Sequence, residues 1–356
     1  MKLDTCILHD QSAGVANVGV RDLDRRQFFK SSMGALATMA ALTHAEGSAK
    51  AKPISEDWLH ANEYRQSRRF VRTPFGNIAY VEQGEGEVAL FLHGFPLNSF
   101  QWRHALERLS FYRRCIAPDF LAMGSTEVAE GQDVGPDAQA GMIIAFMDAL
   151  AIEAVDLVAS DSGGAIAQLL VARHPRRVRT VLLTNCDSEI ECPPPALMPV
   201  IKLSKQGRYV DEWLVPWQKD KRRARSVQGF GGMCYAEREN PSDAAIDAYF
   251  APLMASAQRK SLVHAYAIAL EGNSLAGIGA ALKRSDIPTR ILWGKGDTIF
   301  SAKGAEHLGR AFGNSLGVRY LEESKLFWPE ERPDVIAEEA RLLWKASLPW
   351  EGKAGS

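Results

Sequence analysis

The sequence predicts an α/β protein built on a mostly parallel, doubly wound sheet. Short apolar runs that end in small-residue turns alternate with longer segments of helical periodicity. Strands that are buried on both faces and joined through helices are typical of a parallel sheet covered on both sides. The alternation breaks over 187–281, which is helical in pattern and rich in aromatic residues. We therefore predict a core formed by 52–186 and 282–350, with 187–281 as a helical cap over the strand ends.

The core elements follow one another along the chain. Two runs of alternating polarity about the Phe75-Gly76-Asn77 turn predict a hairpin over 68–86. The same kinds of pattern predict a buried strand within 88–96, a strand and loop over 113–126, a helix over 140–152, a strand over 178–186, a strand within 287–297, a strand and loop over 318–327 and a last helix over 334–344.

The stretch 155–172 places two potential nucleophiles, Asp161 and Ser162, side by side. An apolar run precedes them, an alanine-rich apolar run follows, and Gly163-Gly164 permits a sharp turn. A strand, a tight turn and a helix are arranged in this way where some enzymes hold a nucleophile at the end of a sheet. The residue types leave open which of the two side chains is at the centre of the turn.

Composition narrows the function classes. The chain has 356 residues and a formal net charge of -1, which argues against a nucleic-acid or acidic-membrane partner. No apolar run reaches the roughly 18 residues of a spanning helix. The cysteines outside the N-terminal segment have no CxxC spacing, so no metal site is predicted, and no cofactor motif is found. Cys186 and Cys192 are either free thiols or a disulfide pair.

The N-terminal segment is predicted to be an export signal rather than part of the fold. Arg25-Arg26 precede two phenylalanines and a lysine, and the weakly apolar stretch 31–42 follows. This order is typical of a bacterial twin-arginine signal. We assign 1–51 to that signal. The expected partner is the twin-arginine export machinery, and the mature protein is expected to be periplasmic or secreted, without a membrane span.

Residues 68–345 resemble the α/β-hydrolase fold, in the branch that contains haloalkane dehalogenases and epoxide hydrolases. The resemblance is carried by five motifs in the family's order: His93-Gly94-Phe95-Pro96, "APDFLAMGST" at 117–126, the turn around Asp161, Gly294-Lys295-Gly296-Asp297, and "PEERPDVIA" at 329–337. It implies a small-molecule substrate and no cofactor.

The resemblance implies roles for individual residues. The Gly163-Gly164 pair places Asp161 at the nucleophile position, although a turn centred on Ser162 is sterically allowed. An aspartate there attacks an electrophilic carbon and forms an ester on the enzyme, which water then cleaves. The backbone N–H groups of Phe95 and Ser162 would bind a developing oxyanion or leaving group. Asp297 matches the acid that orients the catalytic histidine.

The catalytic histidine itself is missing from the family's pattern. Its place, seven residues before Pro333, is taken by Leu326, and no histidine follows His307. The best alternative base is His264, in the predicted cap. The sequence also departs at the halide-binding positions, which hold Phe95 and Ser162 instead of asparagine and tryptophan. Epoxide hydrolases use cap tyrosines as proton donors, and the cap contains Tyr209, Tyr235, Tyr249 and Tyr266.

Three functions are compatible with these observations. The first is a hydrolase that acts on a small apolar electrophile, an epoxide, haloalkane or ester, through Asp161 in an incomplete triad. The second is a lyase or isomerase that uses Asp161 as a proton acceptor, which needs no activated water. The third is an exported ligand-binding protein that has lost catalysis, although two unpaired carboxylates at a pocket would then be unfavourable remnants.

Overall fold

The computed structural model describes residues 61–129 and 131–345. The predicted export signal, 1–51, lies outside the described residues, as do 52–60 and 346–350 of the predicted core. None of the described helices is both long enough and apolar enough to cross a membrane.

A single twisted sheet carries the fold, and the predicted α/β class is confirmed. Its order is β1-β2-β4-β3-β6-β7-β8-β9, with β5 paired to β2, and every pairing from β4 to β9 is parallel. The strands are β1 Arg69–Thr73, β2 Gly76–Gln83, β3 Val88–Leu92, β4 Arg114–Pro118, β5 Glu127–Val128, β6 Val155–Asp161, β7 Val178–Cys186, β8 Thr289–Gly294 and β9 Ser315–Leu321.

The central strands are buried along their whole length, as their apolar sequences predict. Every residue of β3 and β6 is buried, including the polar end of β6 at Asp161. Parallel strands place their carboxyl ends at one edge of the sheet, where ligands bind in folds of this kind. The residues that follow β3, β6, β7 and β8 therefore meet at one place.

Helices cover both faces of the sheet and form the insertion between β7 and β8. The α-helices whose two ends both lie among the described residues are α1 Arg103–Leu109, α2 Pro136–Ala149, α3 Ser162–Arg173, α4 Met198–Lys205, α5 Val215–Lys219, α6 Lys221–Ala224, α7 Phe230–Cys234, α8 Asp243–Phe250, α9 Ala257–Ala269, α10 Gly279–Arg284, α11 Ala302–Ala311, α12 Trp328–Glu331 and α13 Pro333–Trp344.

The predicted cap region, 187–281, contains the helices α4 to α9, a π-helical turn at Val210–Leu214 and one isolated bridge between Ser188 and Glu191. The helix predicted over 140–152 begins earlier, at Pro136. The φ of proline is fixed near the helical value, which makes it a favourable first residue of a helix.

A buried polar network joins the cap to the core. Glu330, in α12, accepts a hydrogen bond from Arg103 at 2.5 Å, from the Tyr235 hydroxyl at 2.7 Å and from the Tyr249 hydroxyl at 2.9 Å. Buried charges are tolerated when they are paired and hydrogen-bonded. The hydroxyl groups of two of the four cap tyrosines thus hold the cap against the core.

Candidate active site

Asp161 is the residue at the centre of the tight turn between β6 and α3. Its φ of 55° and ψ of −134° are unusual for a residue with a side chain, and such strain is typical of functional positions. The turn is sterically possible because residues 163 and 164 are glycines. A Cβ on Gly163 would lie 2.6 Å from the carbonyl oxygen of Leu92, and one on Gly164 would lie 2.3 Å from Cβ of Cys186. Of the two potential centres, the turn is at Asp161.

Two backbone N–H groups bind one oxygen of the Asp161 carboxylate. Oδ1 accepts from Phe95 at 3.0 Å and from Ser162 at 2.5 Å. Gly94 makes this approach possible, because a Cβ there would lie 2.5 Å from Cβ of Asp161. Burial raises the pKa of Asp161 from 3.8 to about 6, and the two N–H donors oppose that rise.

Ser162 begins α3 and contributes mainly its backbone. Its hydroxyl oxygen is buried and has no hydrogen-bond partner among the described residues. A serine nucleophile needs an adjacent base, and no described histidine forms a hydrogen bond with this hydroxyl. The hydroxyl of Tyr266 is also buried without a hydrogen bond. Burial raises the pKa of this phenol, and the nearby side chain of Ser162 opposes that rise.

An apolar cavity of about 780 Å³, part of it open to solvent, lies over Asp161. Most of its wall comes from the cap. The lining residues are Phe95, Pro96, Asp161, Ser162, Asp187, Pro194, Ala196, Leu197, Val200, Tyr209, Trp213, Trp217, Phe230, Met233, Cys234, Leu270, Ile299, Phe300, Leu326 and Phe327. None of these described lining residues is a lysine, arginine or histidine. The cavity therefore suits an apolar ligand without negative charge.

Asp187 is a second carboxylate in the cavity wall, and no sequence motif pointed to it. It directly follows β7, whose last residue Cys186 is the strand partner of Asp161. Its side chain is 5% exposed. Burial first, and the neighbouring charge of Asp161 second, raise the pKa of Asp187 well above its ordinary range. The sequence feature that could have identified Asp187 is its position. It is an acidic residue immediately after a buried strand, at the edge of the sheet where the strand ends meet.

Asp297 follows β8, as expected, but it does not line the cavity. Its Oδ2 accepts from Asn185 at 2.8 Å and its Oδ1 from the backbone of Ile299 at 2.8 Å. Asn185 in turn accepts from the indole N–H of Trp328 at 3.1 Å. Burial raises the pKa of Asp297 to about 7, and these donors oppose the rise.

Leu326 lies in the cavity wall with 2% of its surface exposed. An alkyl side chain there offers no acid–base chemistry. The alternative base, His264, does not replace it, because the residue lies in α9 outside the cavity lining. Its Nε2 accepts a hydrogen bond from the backbone N–H of Val210 at 3.3 Å, so the ring holds two segments of the cap together. The structure does not bring His264 to Asp161.

The four cap tyrosines divide into two pairs. Tyr235 and Tyr249 bind Glu330, as described above, and are absent from the cavity lining. Tyr209 lines the cavity, and burial, together with the nearby Cys234 and Asp161, raises the pKa of its phenol. Tyr266 packs against the ring of Phe95 in a tilted arrangement with a centroid distance of 5.3 Å.

Similar proteins agree with this architecture. The chain is 27% identical over 288 residues to haloalkane dehalogenase 2 of Mycobacterium tuberculosis, covering 77% of this chain and 93% of that one. It is 26% identical over 258 residues to a cis-3-alkyl-4-alkyloxetan-2-one decarboxylase of Shewanella oneidensis, covering 68% and 79%. The crystal structure of an ancestral haloalkane dehalogenase superimposes with a TM-score of 0.62 at 24% identity, covering 78% of this chain and 100% of that one.

The family itself is identified by residues 88–324, which match the alpha/beta hydrolase fold. The matched range runs from β3 through the turn at Asp161 and the whole insertion to the loop before Leu326. The assignment to a hydrolase superfamily, made above on sequence motifs, is confirmed by this match and by relatives that are named as hydrolases. This protein belongs to the α/β-hydrolase fold family.

Proposed function

We propose that this protein is an exported enzyme that attacks a small, uncharged, apolar electrophile with the carboxylate of Asp161. The observation that carries the proposal is the way this carboxylate is held. Both backbone donors bind Oδ1, at 3.0 and 2.5 Å, which leaves Oδ2 as the attacking oxygen in an apolar cavity. A carboxylate removed from water and fixed in direction is a better nucleophile than a solvated one.

The same geometry prepares the second step. When Oδ2 bonds to the substrate carbon, Oδ1 becomes the carbonyl oxygen of the ester and already lies between the N–H groups of Phe95 and Ser162. Attack by water on the ester turns this carbonyl oxygen into an oxyanion. Preorganised donors of this kind are worth about 10²–10³ in rate each.

The cavity favours an electrophile whose leaving group is an oxygen. The side chains of Phe95 and Ser162 offer no N–H donor to a departing halide. The cavity wall contains two groups that can protonate an alkoxide, the phenol of Tyr209 and the carboxyl group of Asp187. An epoxide with an alkyl or aryl substituent satisfies these conditions, because the substituent can pack against the apolar and aromatic lining residues.

The proposal is tested by intact-protein mass spectrometry of the wild type and Asp161→Asn. Both are exposed to a panel of epoxides, haloalkanes and activated esters in water enriched in ¹⁸O. Hydrolysis of an ester on Asp161 leaves solvent oxygen in the carboxylate, so the peptide that contains Asp161 gains about 2 Da per exchange. Product from the first turnover carries no label.

Consumption of a substrate without label on Asp161, or equal activity in the Asn variant, would contradict nucleophilic attack by this residue. A control variant, Asp156→Asn, alters another buried carboxylate of β6 that lies away from the cavity. It is expected to leave the labelling of Asp161 intact in the protein that remains folded.

A second candidate, a lyase, is favoured by Leu326 and by the similarity to an oxetanone decarboxylase. If Oδ2 of Asp161 attacks C4 of a β-lactone, the C–O bond breaks and the ring oxygen becomes part of a free carboxylate. Loss of CO₂ then forms the C=C bond and expels Asp161 as a carboxylate. No water and no base are needed. Release of an alkene from a dialkyl β-lactone, measured by gas chromatography, distinguishes this reaction, because hydrolysis yields a hydroxy acid.

Export is part of the proposal and is supported by Arg25-Arg26 and the apolar stretch after them. Replacement of both arginines by lysine is expected to stop export in a bacterial host. Fractionation of the cells should then find the precursor in the cytoplasm. Equal amounts of processed periplasmic protein from the two sequences would contradict a twin-arginine signal.

A further inference from the structure

Asp161 and Asp187 form a pair of carboxyl groups at the end of two neighbouring strands. Asp161 is the strand partner of Cys186, and Asp187 is the next residue. Neighbouring strands lie about 4.8 Å apart and rise about 3.3 Å per residue, which places the two Cα atoms roughly 5–7 Å apart. Both side chains line the cavity. A reacting molecule over Asp161 therefore also meets Asp187.

The backbone of Asp187 is fixed to the helix that begins at Asp161. Gln168, in α3, donates to the carbonyl oxygen of Asp187 at 2.8 Å and to that of Gly164 at 3.0 Å. Its side chain is 1% exposed. The position of Asp187 is thus set by the same turn that sets Asp161.

The surroundings of the two carboxyl groups differ. Asp161 accepts two backbone N–H groups, which stabilise the anion, whereas the carboxyl group of Asp187 faces the Cys192 thiol, and no described basic side chain forms an ion pair with it. Asp161 and Glu191 add negative charge nearby. Two close carboxylates do not both ionise in an apolar site, and the group with the weaker donors keeps the proton.

From this placement we infer that Asp187 is the general acid and base of the reaction, in the role that Leu326 cannot fill. The inference rests on the proposed function of Asp161. Asp161 is the anionic partner and Asp187 the neutral one, so the pair enters the reaction with one proton. Pairs of carboxyl groups with opposite protonation states perform this division of work in other hydrolytic enzymes.

With an epoxide the steps balance as follows. Oδ2 of Asp161 bonds to a ring carbon, the C–O bond breaks, and the departing oxygen takes the proton of Asp187. The Asp187 carboxylate then takes a proton from water, and the hydroxide adds to Cγ of Asp161. Collapse expels the diol oxygen, which regains a proton from Asp187. Asp161 is left protonated and passes its proton to Asp187, which restores the resting pair.

The test compares Asp187→Asn with the wild type on two alkylating probes, 1,2-epoxyhexane and 1-bromohexane. An amide of the same shape cannot donate or accept the required proton. Opening of the epoxide and release of its ester are expected to slow by about 10²–10⁴-fold. Formation of the ester from 1-bromohexane is expected to change by no more than a few-fold, because bromide leaves without a proton. Intact mass measured over time gives both rates.

Glu189→Gln is the control, because it neutralises a carboxylate two residues further on. Glu189 accepts from the backbone N–H of Gly277 at 2.8 Å and does not line the cavity. It is expected to react like the wild type with both probes. Asp187→Glu keeps an acid at the site and is expected to retain more of the epoxide reaction than Asp187→Asn.

The outcomes separate the two proposals. Failure of the wild type to acquire ¹⁸O on Asp161 while it consumes the epoxide would overturn the proposed function and this inference with it. Label on wild-type Asp161, together with unchanged rates in Asp187→Asn, would overturn only the role of Asp187. Equal losses with both probes, and equal losses in the Asn and Glu variants, would show that Asp187 serves packing alone.

Discussion

Replacing Asp161 by asparagine is expected to stabilise the folded protein at neutral and alkaline pH. Burial raises the pKa of this carboxyl group from 3.8 to about 6. The folded state therefore holds the proton more tightly than the unfolded state does. Each pKa unit corresponds to about 1.4 kcal/mol, so ionised Asp161 lowers the free energy of unfolding by about 3 kcal/mol above pH 6. An enzyme that removes a nucleophile from water bears this cost in stability.

The sign of the effect fixes its pH dependence. Well below pH 3.8 the carboxyl group is neutral in both states and contributes nothing. Between pH 4 and 6 the unfolded state ionises first, so the stability of the wild type falls as pH rises. Asparagine removes this dependence but places its own amide in an apolar site, which costs about 1–2 kcal/mol. We expect a net gain of about 1–2 kcal/mol at pH 8 and no gain at pH 4.

Chemical denaturation of the wild type and Asp161→Asn at pH 4, 6 and 8 measures this difference. Asp156→Asn is a control of opposite sign. Asp156 accepts from Arg113 at 3.0 Å and from Arg179 at 2.9 Å, and its replacement weakens these charge-assisted hydrogen bonds at a cost of about 1.5–3 kcal/mol. Loss of stability in Asp161→Asn at pH 8, or a gain that is the same at pH 4, would refute the argument from burial.

Three further predictions concern rates and packing. The rate of ester formation with an alkyl bromide should rise with pH to a plateau, with a midpoint near 6, because the ionised form of Asp161 attacks; a flat profile over pH 5–8 would contradict it. Gly94→Ala should slow the same step by at least about 10-fold, because its Cβ would lie 2.5 Å from Cβ of Asp161 and displace the carboxylate; an unchanged rate would show that the loop adjusts freely. Glu330→Gln should lower the free energy of unfolding by about 1.5–3 kcal/mol, because it weakens the charge-assisted hydrogen bonds that the buried carboxylate accepts from Arg103, Tyr235 and Tyr249, and a loss below about 1 kcal/mol in denaturation would contradict that.

Local patterns predicted the order of the elements and the place of the turn. The apolar runs of β3 and β6 and the periodicity of α3 depend on residues close in sequence. Gly163 and Gly164 identify the turn because contacts with Leu92 and Cys186 exclude a Cβ at either position. Steric limits of this kind can be anticipated from the glycine pair itself.

The chemistry around the turn could be predicted only in part. The backbone donors of Phe95 and Ser162 were anticipated through the family motifs, and the structure places both at Oδ1 of Asp161. The sequence motifs did not indicate Asp187, because its closeness to Asp161 depends on the pairing of β6 with β7, which no local pattern shows. His264 was considered as a base, but its distance from the site is set by the packing of the cap.

The sequence by itself determined the α/β class, the sharp turn that holds Asp161 and the absence of a histidine at the position of Leu326. These are properties of residue type and short-range geometry. Only the tertiary structure decided which polar groups share the cavity. The pairing of β6 with β7 places Asp187 beside Asp161. Hydrogen bonds with Glu330 hold Tyr235 and Tyr249 away from the cavity, so these two tyrosines are not proton donors to a ligand there. The physical reason is that burial and pairing, which set the charge of a carboxyl group, are properties of the assembled fold.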